Sequence, residues 1–248
     1  EMSASLVGSE MCIRDSAHTP RFAAEAPGHV RYFSSIGPVK NGVYCADDVI
    51  YRAHDGVAEK ILNADEIRIP GAHNVENYMT ALAAVEGLVS DETARQVAQT
   101  FGGVEHRIEL VREKDGVRFY NDSIASSPSR TIAGLRSFPQ KVILIAGGYD
   151  KHIPYDALGP EICRHVKRLI VTGATGEKIR QAVLAAPEYR ENQPEILSIE
   201  DFDQAVRQAA GGAEPGDVVL LSPASAAFDK FRNFMVRGQH FKDLVRSL

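Results

Sequence analysis

The chain of 248 residues has few cysteines, no excess of basic residues and no long apolar run. Cys12, Cys45 and Cys163 are widely separated and form no CxxC pair, which argues against a disulfide framework and a cysteine-rich zinc site. The formal net charge of −5 argues against a dedicated nucleic-acid binder. No apolar run approaches the roughly 20 residues that cross a bilayer. We therefore expect a cytoplasmic protein that binds neither nucleic acid nor membrane.

Residues 1–16, EMSASLVGSEMCIRDS, show no clear hydrophobic period. They also lack the basic and apolar segments of a signal peptide. Because they resemble translated adaptor or junction sequence, we expect a non-native leader and leave it out of the functional argument.

Residues 17–103 form the first predicted domain. Short strands are expected from Phe33 to Ile69, with hairpin signals at Asn41-Gly42 and Asp55-Gly56. A helix is predicted from His73 or Asn74, because Tyr78, Leu82, Val85 and Leu88 have helical spacing. A second helix, with Ser90 as its N-cap, ends at Phe101 before Gly102-Gly103, the predicted boundary.

Residues 104–248 form the second predicted domain. A hairpin is expected at Asp115-Gly116, followed by a helix over 128–138. The apolar segments KVILIAGG, LIVTG, EILSI and DVVLLS then alternate with helices predicted around 155–165, 177–186 and 201–210. This alternation predicts an α/β fold with a Rossmann-like, doubly wound, mostly parallel sheet and flanking helices. Ligands bind beyond the carboxyl ends of such strands, here segments 121–127, 147–151, 173–176 and 222–234.

Two motifs carry groups suited to a nucleotide. Asn74 and Asn77 are three residues apart, so their amides share a helix face and could read a purine edge or hold a phosphate oxygen. The alternative is that Asn74 only caps the helix and Asn77 is solvated. Arg107, after His106, could clamp a phosphate, or could form a surface salt bridge with Glu105 or Glu109.

Three further motifs follow predicted strands. Asp122 could accept both hydroxyls of a ribose or bind a metal-bound water, and the serines after it precede a helix N-terminus that favours anions. Turn and capping chemistry explains this composition equally well. Lys151 could pair with a substrate carboxylate or be an ordinary exposed lysine. The small residues 222–227 allow close approach to the backbone. Phe228, Phe231 and Phe234 recur at a spacing typical of core packing, and ligand contact stays open at the two ends of this stripe.

The order of these motifs resembles the Mur ligases over residues 37–248: GxHNxxN, an HR pair, NDS, GGxDK and LSPAxAxxDxFxNFxxRG. The resemblance implies the tail of an α/β ATP-binding central domain followed by a C-terminal domain that binds ATP and an amino acid. It implies that Asn74 and Asn77 contact the adenine or nearby groups of ATP. It also implies that His106, Arg107 and Asp122 hold ATP, with Asp122 near the ribose.

The last motif most resembles the family members that add D-glutamate to UDP-N-acetylmuramoyl-L-alanine in peptidoglycan precursor synthesis, with ATP and Mg²⁺. It implies that Lys151, Ser126, Ala227, Phe228 and Phe234 surround D-glutamate, in a monomeric enzyme. Two positions depart from the family's common pattern: Ile124 stands where lysine is frequent, and Ala227 where serine is frequent.

The sequence has no GK[ST] phosphate-binding loop, which this family uses to cradle ATP. The family's modified lysine and magnesium-binding acidic residue also lie upstream of the matched motifs. We therefore expect a partial chain that is inactive alone, with no certain catalytic residue and no metal ligand. Two alternatives stay open: another Mur or folylpolyglutamate-type ligase, and a non-catalytic Rossmann-like nucleotide-binding module.

Overall fold

The computed structural model describes residues 4–7, 10–14, 29–69 and 71–248. It divides into two compact units, residues 1–102 and 103–248. No helix among the described residues is long and apolar enough to cross a membrane. The rest of the predicted leader, residues 1–3, 8–9, 15 and 16, lies outside the described residues, and its foreign origin stays a prediction.

The first unit contains a six-stranded sheet in the order β1-β2-β3-β4-β5-β6. Its strands are β1 (Ala4–Val7), β2 (Glu10–Arg14), β3 (His29–Ser34), β4 (Gly42–Ala46), β5 (Val49–His54) and β6 (Val57–Asn63). The pairs β2–β3 and β3–β4 are parallel, and the other pairs are antiparallel. Helices α1 (Ala72–Ala84) and α2 (Asp91–Thr100) complete the unit, whose core includes Ile50, Leu62 and Met79.

The two hairpin turns predicted for this unit have different outcomes. The hairpin at Asp55-Gly56 is confirmed, but the hairpin predicted at Asn41-Gly42 is wrong, because β3 and β4 run parallel. Gly42 instead permits close approach: a Cβ there would lie 1.9 Å from the Tyr32 carbonyl oxygen. The β4–β5 turn is made by Asp47 and Asp48, both at positive φ.

In the first unit the N-termini of the helices were predicted more accurately than their C-termini. Ser90 is the N-cap of α2, as predicted, and its hydroxyl accepts a hydrogen bond from the Thr93 amide. Helix α1 ends at Ala84, so the predicted extension to Leu88 is wrong. Leu88 is 80% exposed, because it falls in the turn after the helix and not on its buried face.

The second unit contains a six-stranded sheet in the order β11-β10-β9-β12-β8-β7. Its strands are β7 (Glu109–Lys114), β8 (Val117–Asn121), β9 (Val142–Gly147), β10 (Val166–Thr172), β11 (Glu195–Ser198) and β12 (Val218–Leu221). Five strands are parallel, and β7 pairs antiparallel with β8 through the predicted turn at Asp115-Gly116.

Helices cover both faces of this sheet. They are α3 (Pro128–Leu135), α4 (Leu158–His165), α5 (Gly176–Leu184), α6 (Phe202–Gly211) and α7 (Phe234–Ser247). Helices α3 to α5 share one apolar cluster, which includes Leu158 and Ile179, whereas α6 and α7 share another, which includes Val206 and Phe241. The predicted doubly wound, mostly parallel α/β fold is confirmed. The carboxyl ends of β8, β9, β10 and β12 therefore lie at one edge of the sheet, where ligands of this architecture bind.

Candidate functional site

Asp122 lies directly after β8, enclosed at the carboxyl edge of the sheet. It is only 4% exposed. One carboxyl oxygen accepts a hydrogen bond from the Ile108 amide (3.3 Å), and the other accepts one from the Ser222 hydroxyl (2.7 Å). Because a carboxylate offers about four acceptor positions, each oxygen keeps one position that these two bonds do not use.

The enclosure of Asp122 changes its acidity. Burial raises the pKa of its carboxyl from 3.8 to about 7, because the charged form is desolvated. The bonds from Ser222 and Ile108 and the positive charges of Arg107 and Arg130 act in the opposite direction without overcoming burial. The carboxyl at this edge is therefore poised to change charge near neutral pH.

His106 is buried beside Asn121, the residue before Asp122, and is held from several sides. Its Nδ1 lies 2.9 Å from the Asn121 amide nitrogen, and its ring meets the Phe234 ring edge-on at 6.0 Å. A Cβ on Gly238 would lie 2.3 Å from the His106 Nδ1, so helix α7 can approach the imidazole only with glycine at that position. His106 and Phe234, predicted on the nucleotide and amino-acid sides respectively, are in contact.

Arg107 is exposed at the same edge, and among the described residues it forms no ion pair. The predicted alternative, a salt bridge with Glu105 or Glu109, is wrong because Lys242 pairs with both carboxylates, at 2.7 and 2.6 Å. The guanidinium of Arg107 is thus left facing solvent, where an anion can reach it.

Glu105, His106 and Glu109 present ligand atoms within 4.8 Å of one another, the geometry of a possible cation site. The buried Lys242 ammonium already supplies the cation that balances the two carboxylates. This cluster therefore does not suit Mg²⁺, and we assign the ion to none of the described residues.

The turn after Asp122 contains local hydrogen bonds between the side chains and the backbone. The side-chain oxygen of Asn121 accepts a hydrogen bond from the Ser123 amide (3.1 Å), which is the turn chemistry offered as an alternative for this motif. Ser127 precedes α3, but its side chain makes no capping bond. Ile124, which replaces a frequent lysine, has its carbonyl 3.5 Å from the guanidinium of Arg130.

Lys151 extends from the loop after β9 towards the loop after β8. Its ammonium lies 3.5 Å from the carbonyl oxygen of Ser126. Two residues predicted to contact the amino acid are therefore neighbours, although they belong to different loops. Lys151 is exposed and forms no ion pair among the described residues, so it is free to meet an anionic group.

The loop after β9 is joined by backbone bonds to the loop after β12. The Gly147 amide donates to the Pro223 carbonyl (2.8 Å), and the Tyr149 amide donates to the Ala226 carbonyl (2.9 Å). Gly148 allows this contact, because a Cβ there would lie 2.3 Å from the Ala226 carbonyl oxygen. These bonds join residues 147–151 and 222–228 into one unit, here called the stitched surface, in which Tyr149, Lys151 and Phe228 are exposed.

The aromatic residues of the last motif have different environments. Ala227 is buried, whereas Phe228 is 62% exposed and packs edge-on against Tyr149. Phe228 is one end of the aromatic stripe, where core packing was not expected, and it lies outside the core because helix α7 begins only at Phe234. Phe231 does pack in the core, with its ring against Phe202.

Arg237, in α7, also lies at this edge, although the sequence motifs predicted no role for it. Its buried guanidinium donates to the Ser123 hydroxyl and to the carbonyls of Ser123, Ser225 and Ala226, at 2.9–3.0 Å. Burial lowers the pKa of Arg237 to about 10, with the charge of Asp229 opposing the effect. The only sequence signal for Arg237 is its position in the final motif. That its side chain points into the protein depends on how α7 packs.

Asn74 and Asn77 lie in the first unit, on the first turns of α1. Asn74 is buried and Asn77 is exposed, and the Asn77 amide donates to the Asn74 side-chain oxygen at 3.4 Å. The shared helix face is therefore confirmed. Asn74 is not the helix cap, because Gly71 occupies that position.

Comparison with known proteins identifies the second unit. Residues 106–225 match the family model described as the Mur ligase, glutamate ligase domain. The chain carries a Mur ligase C-terminal domain. The matched residues of this Mur ligase domain include His106, Arg107, Asp122, Ser126 and Lys151.

Named relatives extend the similarity beyond the Mur ligase domain. The chain is 52% identical to the UDP-N-acetylmuramoylalanine–D-glutamate ligase of Acetivibrio thermocellus, over 94% of this chain and 51% of that protein. It is 48% identical to the enzyme of the same name from Clostridium beijerinckii, over 95% of this chain and 50% of that protein. The chain spans about half the length of the curated relatives it matches.

Solved structures share the fold at low sequence identity. MurF from Acinetobacter baumannii matches with a TM-score of 0.66 and 14% identity, over 98% of this chain and 52% of that one. The folylpolyglutamate synthase of Mycobacterium tuberculosis matches with a TM-score of 0.56 and 16% identity, over 90% of this chain and 51% of that one. These structures show the architecture and do not distinguish substrates.

Proposed function

We propose that the chain is part of an ATP-dependent ligase that joins D-glutamate to UDP-N-acetylmuramoyl-L-alanine. The observation that carries the proposal is the stitched surface at the carboxyl edge of the Mur ligase domain, where Lys151 reaches the Ser126 carbonyl. The identity of about 50% to proteins named for this reaction supports it. In this reaction the UDP-substrate carboxylate is activated as an acyl phosphate at the expense of ATP, and the D-glutamate amine displaces phosphate.

The proposed amino-acid side of the site comprises Lys151, Ser126, Ala227, Phe228 and Phe234. The exposed ammonium of Lys151 pairs with a carboxylate of D-glutamate, while Ser126 offers a hydroxyl beside it. The backbone at Ala227 and Phe228 bounds the amino acid on the other loop. Because these groups lie on rigidly joined loops, they hold the amine in one orientation for attack.

The proposed ATP contacts in the Mur ligase domain are His106, Arg107 and Asp122. The solvent-facing guanidinium of Arg107 meets phosphate oxygens, and the unused acceptor positions of Asp122 suit ribose hydroxyls. In the first unit we propose Asn74 and Asn77, whose amides share one helix face. Mg²⁺ dependence belongs to the proposal, with no described residue assigned to the ion.

The proposed protein is a cytosolic monomer that acts on small molecules. Cys45 and Cys163 are free thiols, as a reducing compartment requires. Size-exclusion chromatography with light scattering tests the oligomeric state.

The first experiment extends the coding sequence upstream of residue 17. An in-frame GK[ST] loop supports the ligase, whereas native sequence without one contradicts it and favours a nucleotide-binding module. Phosphate release by the full-length protein is then measured with UDP-N-acetylmuramoyl-L-alanine and a panel of D- and L-amino acids. Preference for another amino acid, or for a folate acceptor, moves the protein to another branch of the superfamily.

Lys151→Met in that full-length protein tests the amino-acid side. We expect the KM for D-glutamate to rise by at least tenfold while the KM for ATP stays within about twofold, because one charge-assisted bond is removed. Lys141→Met is the matched control, since Lys141 directly precedes β9 whereas Lys151 follows its other end. An unchanged KM for D-glutamate in Lys151→Met counts against this assignment.

Arg107→Ala tests the nucleotide side in the same protein. We expect weaker binding of ATP, measured by calorimetry, because the solvent-facing guanidinium is lost. Equal nucleotide affinity of the variant and the unchanged protein contradicts the proposed role of Arg107.

A further inference from the structure

Three buried hydroxyl groups meet where the stitched surface contacts the segments before α4 and α5, and one of them, that of Ser225, belongs to the stitched surface itself. The Tyr155 hydroxyl lies 2.8 Å from the Ser225 hydroxyl, which lies 2.8 Å from the Thr175 hydroxyl. Tyr155 precedes α4, Thr175 precedes α5 and Ser225 follows β12, so this hydroxyl cluster joins three separate segments. None of the three is more than 4% exposed.

Thr175 also holds the loop that carries Lys151. The Gly148 amide donates to the Thr175 hydroxyl (3.0 Å), and the Thr175 amide donates to the Gly148 carbonyl (3.0 Å). The two residues therefore exchange hydrogen bonds in both directions. Gly148 lies three residues before Lys151, and its neighbour Tyr149 is bonded to Ala226. Thr175 thus forms hydrogen bonds with both loops of the stitched surface.

The chemistry of this arrangement depends on a hydroxyl. A threonine hydroxyl can accept the bond from Gly148 and still donate or accept towards Ser225. Valine has nearly the same shape but can do neither, so the buried Gly148 amide would lose its acceptor. To satisfy that amide with water, the loop carrying Lys151 would have to move away from Ser225.

The bonds of the Thr175 side chain go to Gly148 and Ser225, and none goes to His106, Arg107 or Asp122. A substitution at Thr175 should consequently displace the residues proposed to bind the amino acid more than those proposed to bind ATP. Two proposed ATP contacts of the Mur ligase domain are held by bonds outside both loops, from Asn121 to His106 and from Ile108 to Asp122. Ser222, which also donates to Asp122, lies at the β12 end of the 222–228 segment, three residues before Ser225.

We propose that Thr175 is a positioning residue that aligns the Lys151 loop with the 222–228 loop and so sets the affinity for the amino-acid substrate. The inference rests on the proposed function, because it presumes that the stitched surface binds the amino acid. Thr175 itself does not contact the substrate.

The test uses the full-length protein with Thr175→Val, Thr175→Ser and, as the matched control, Thr172→Val. Thr172 is a buried threonine at the end of β10, and its hydroxyl donates to the Glu200 carbonyl (2.9 Å) and to neither loop. We expect Thr175→Val to raise the KM for D-glutamate about tenfold while the KM values for ATP and the UDP-substrate stay within twofold. A tenfold change corresponds to about 1.4 kcal/mol.

Thr175→Ser keeps the hydroxyl and should restore the KM for D-glutamate to within about threefold of the unchanged protein. Thr172→Val should lower the melting temperature without a selective effect on D-glutamate. These two results, with the selective KM change, support positioning over a general loss of stability.

Two results overturn the inference in distinguishable ways. If Thr175→Val leaves the KM for D-glutamate unchanged, or raises all three KM values together as Thr172→Val does, the positioning role is refuted while the proposed function stands. If the unsubstituted full-length protein shows no D-glutamate-dependent phosphate release, the proposed function fails and this inference fails with it.

Discussion

The buried carboxyl of Asp122 should make the stability of the protein fall as the pH rises through the neutral range. In the folded protein its pKa is raised from 3.8 to about 7, so the native state binds a proton more tightly than the unfolded chain does. Between these two values the unfolded chain ionises and the native carboxyl does not. Stability that is fully present below about pH 4 is therefore lost progressively up to about pH 7.

The size of this effect follows from the shift. Each pKa unit corresponds to about 1.4 kcal/mol, so a shift of about three units amounts to about 4 kcal/mol at pH 8. About 3 kcal/mol of that loss falls between pH 5 and pH 8, because the unfolded carboxyl is already almost fully ionised at pH 5 and the rest of the loss occurs below that pH. Asp122→Asn has no carboxyl to ionise and keeps a side chain of similar shape.

The assay compares the free energies of unfolding of the unchanged chain and Asp122→Asn, from urea denaturation followed by circular dichroism. We expect the difference between the two proteins to move by about 3 kcal/mol in favour of the variant when the pH is raised from 5 to 8. Carbon-13 NMR of the carboxyl groups measures the pKa of Asp122 directly. The Asp122 signal is assigned by its absence from the spectrum of Asp122→Asn. A signal that titrates near pH 4, with no change in the stability difference, would refute the reasoning.

Substitutions at three further positions test the packing and capping arguments. Arg237→Met should destabilise the chain by about 2–4 kcal/mol in urea denaturation, because it leaves buried carbonyls without their guanidinium donors; an unchanged midpoint contradicts this. Gly134→Ala should lower the melting temperature, although alanine usually favours a helix, because the new Cβ would lie 3.0 Å from an Asp122 carboxyl oxygen; a raised melting temperature would show that the carboxyl yields easily. Ser90→Ala should cost about 1 kcal/mol in the free energy of unfolding, because the Thr93 amide loses its cap, and Ser90→Asn should not.

Much of the second unit could be read from local sequence. Short apolar strands alternating with amphipathic helices predicted a doubly wound sheet, and that sheet is present. Because ligands bind beyond the carboxyl ends of parallel strands, the same pattern directed attention to Asp122, Lys151 and the loop at 222–234. The order of the motifs also indicated the Mur ligases, as the match over residues 106–225 confirms.

Other local signals were less decisive, because the same residue pattern occurs in more than one backbone conformation. Asn41-Gly42 is a common hairpin sequence, yet here glycine is needed where Gly42 passes close to the Tyr32 carbonyl. The spacing of Phe228, Phe231 and Phe234 predicted core packing except at the ends, and only Phe231 packs in the core, because the chain is not helical before Phe234. Spacing predicts a shared face only where the chain has regular secondary structure.

The amino-acid sequence by itself determined the alternation of strands and helices, the Ser90 cap, the turn at Asp115-Gly116 and the order of the motifs, because each depends on residues close together in the chain. The tertiary structure alone decided the acidity of Asp122 and the inward direction of Arg237. Ser222 meets Asp122 across 100 residues of sequence, and Arg237 meets Ser123 across 114. Contacts of this kind form only when distant strands and helices pack at one edge of the sheet, so no local pattern encodes them.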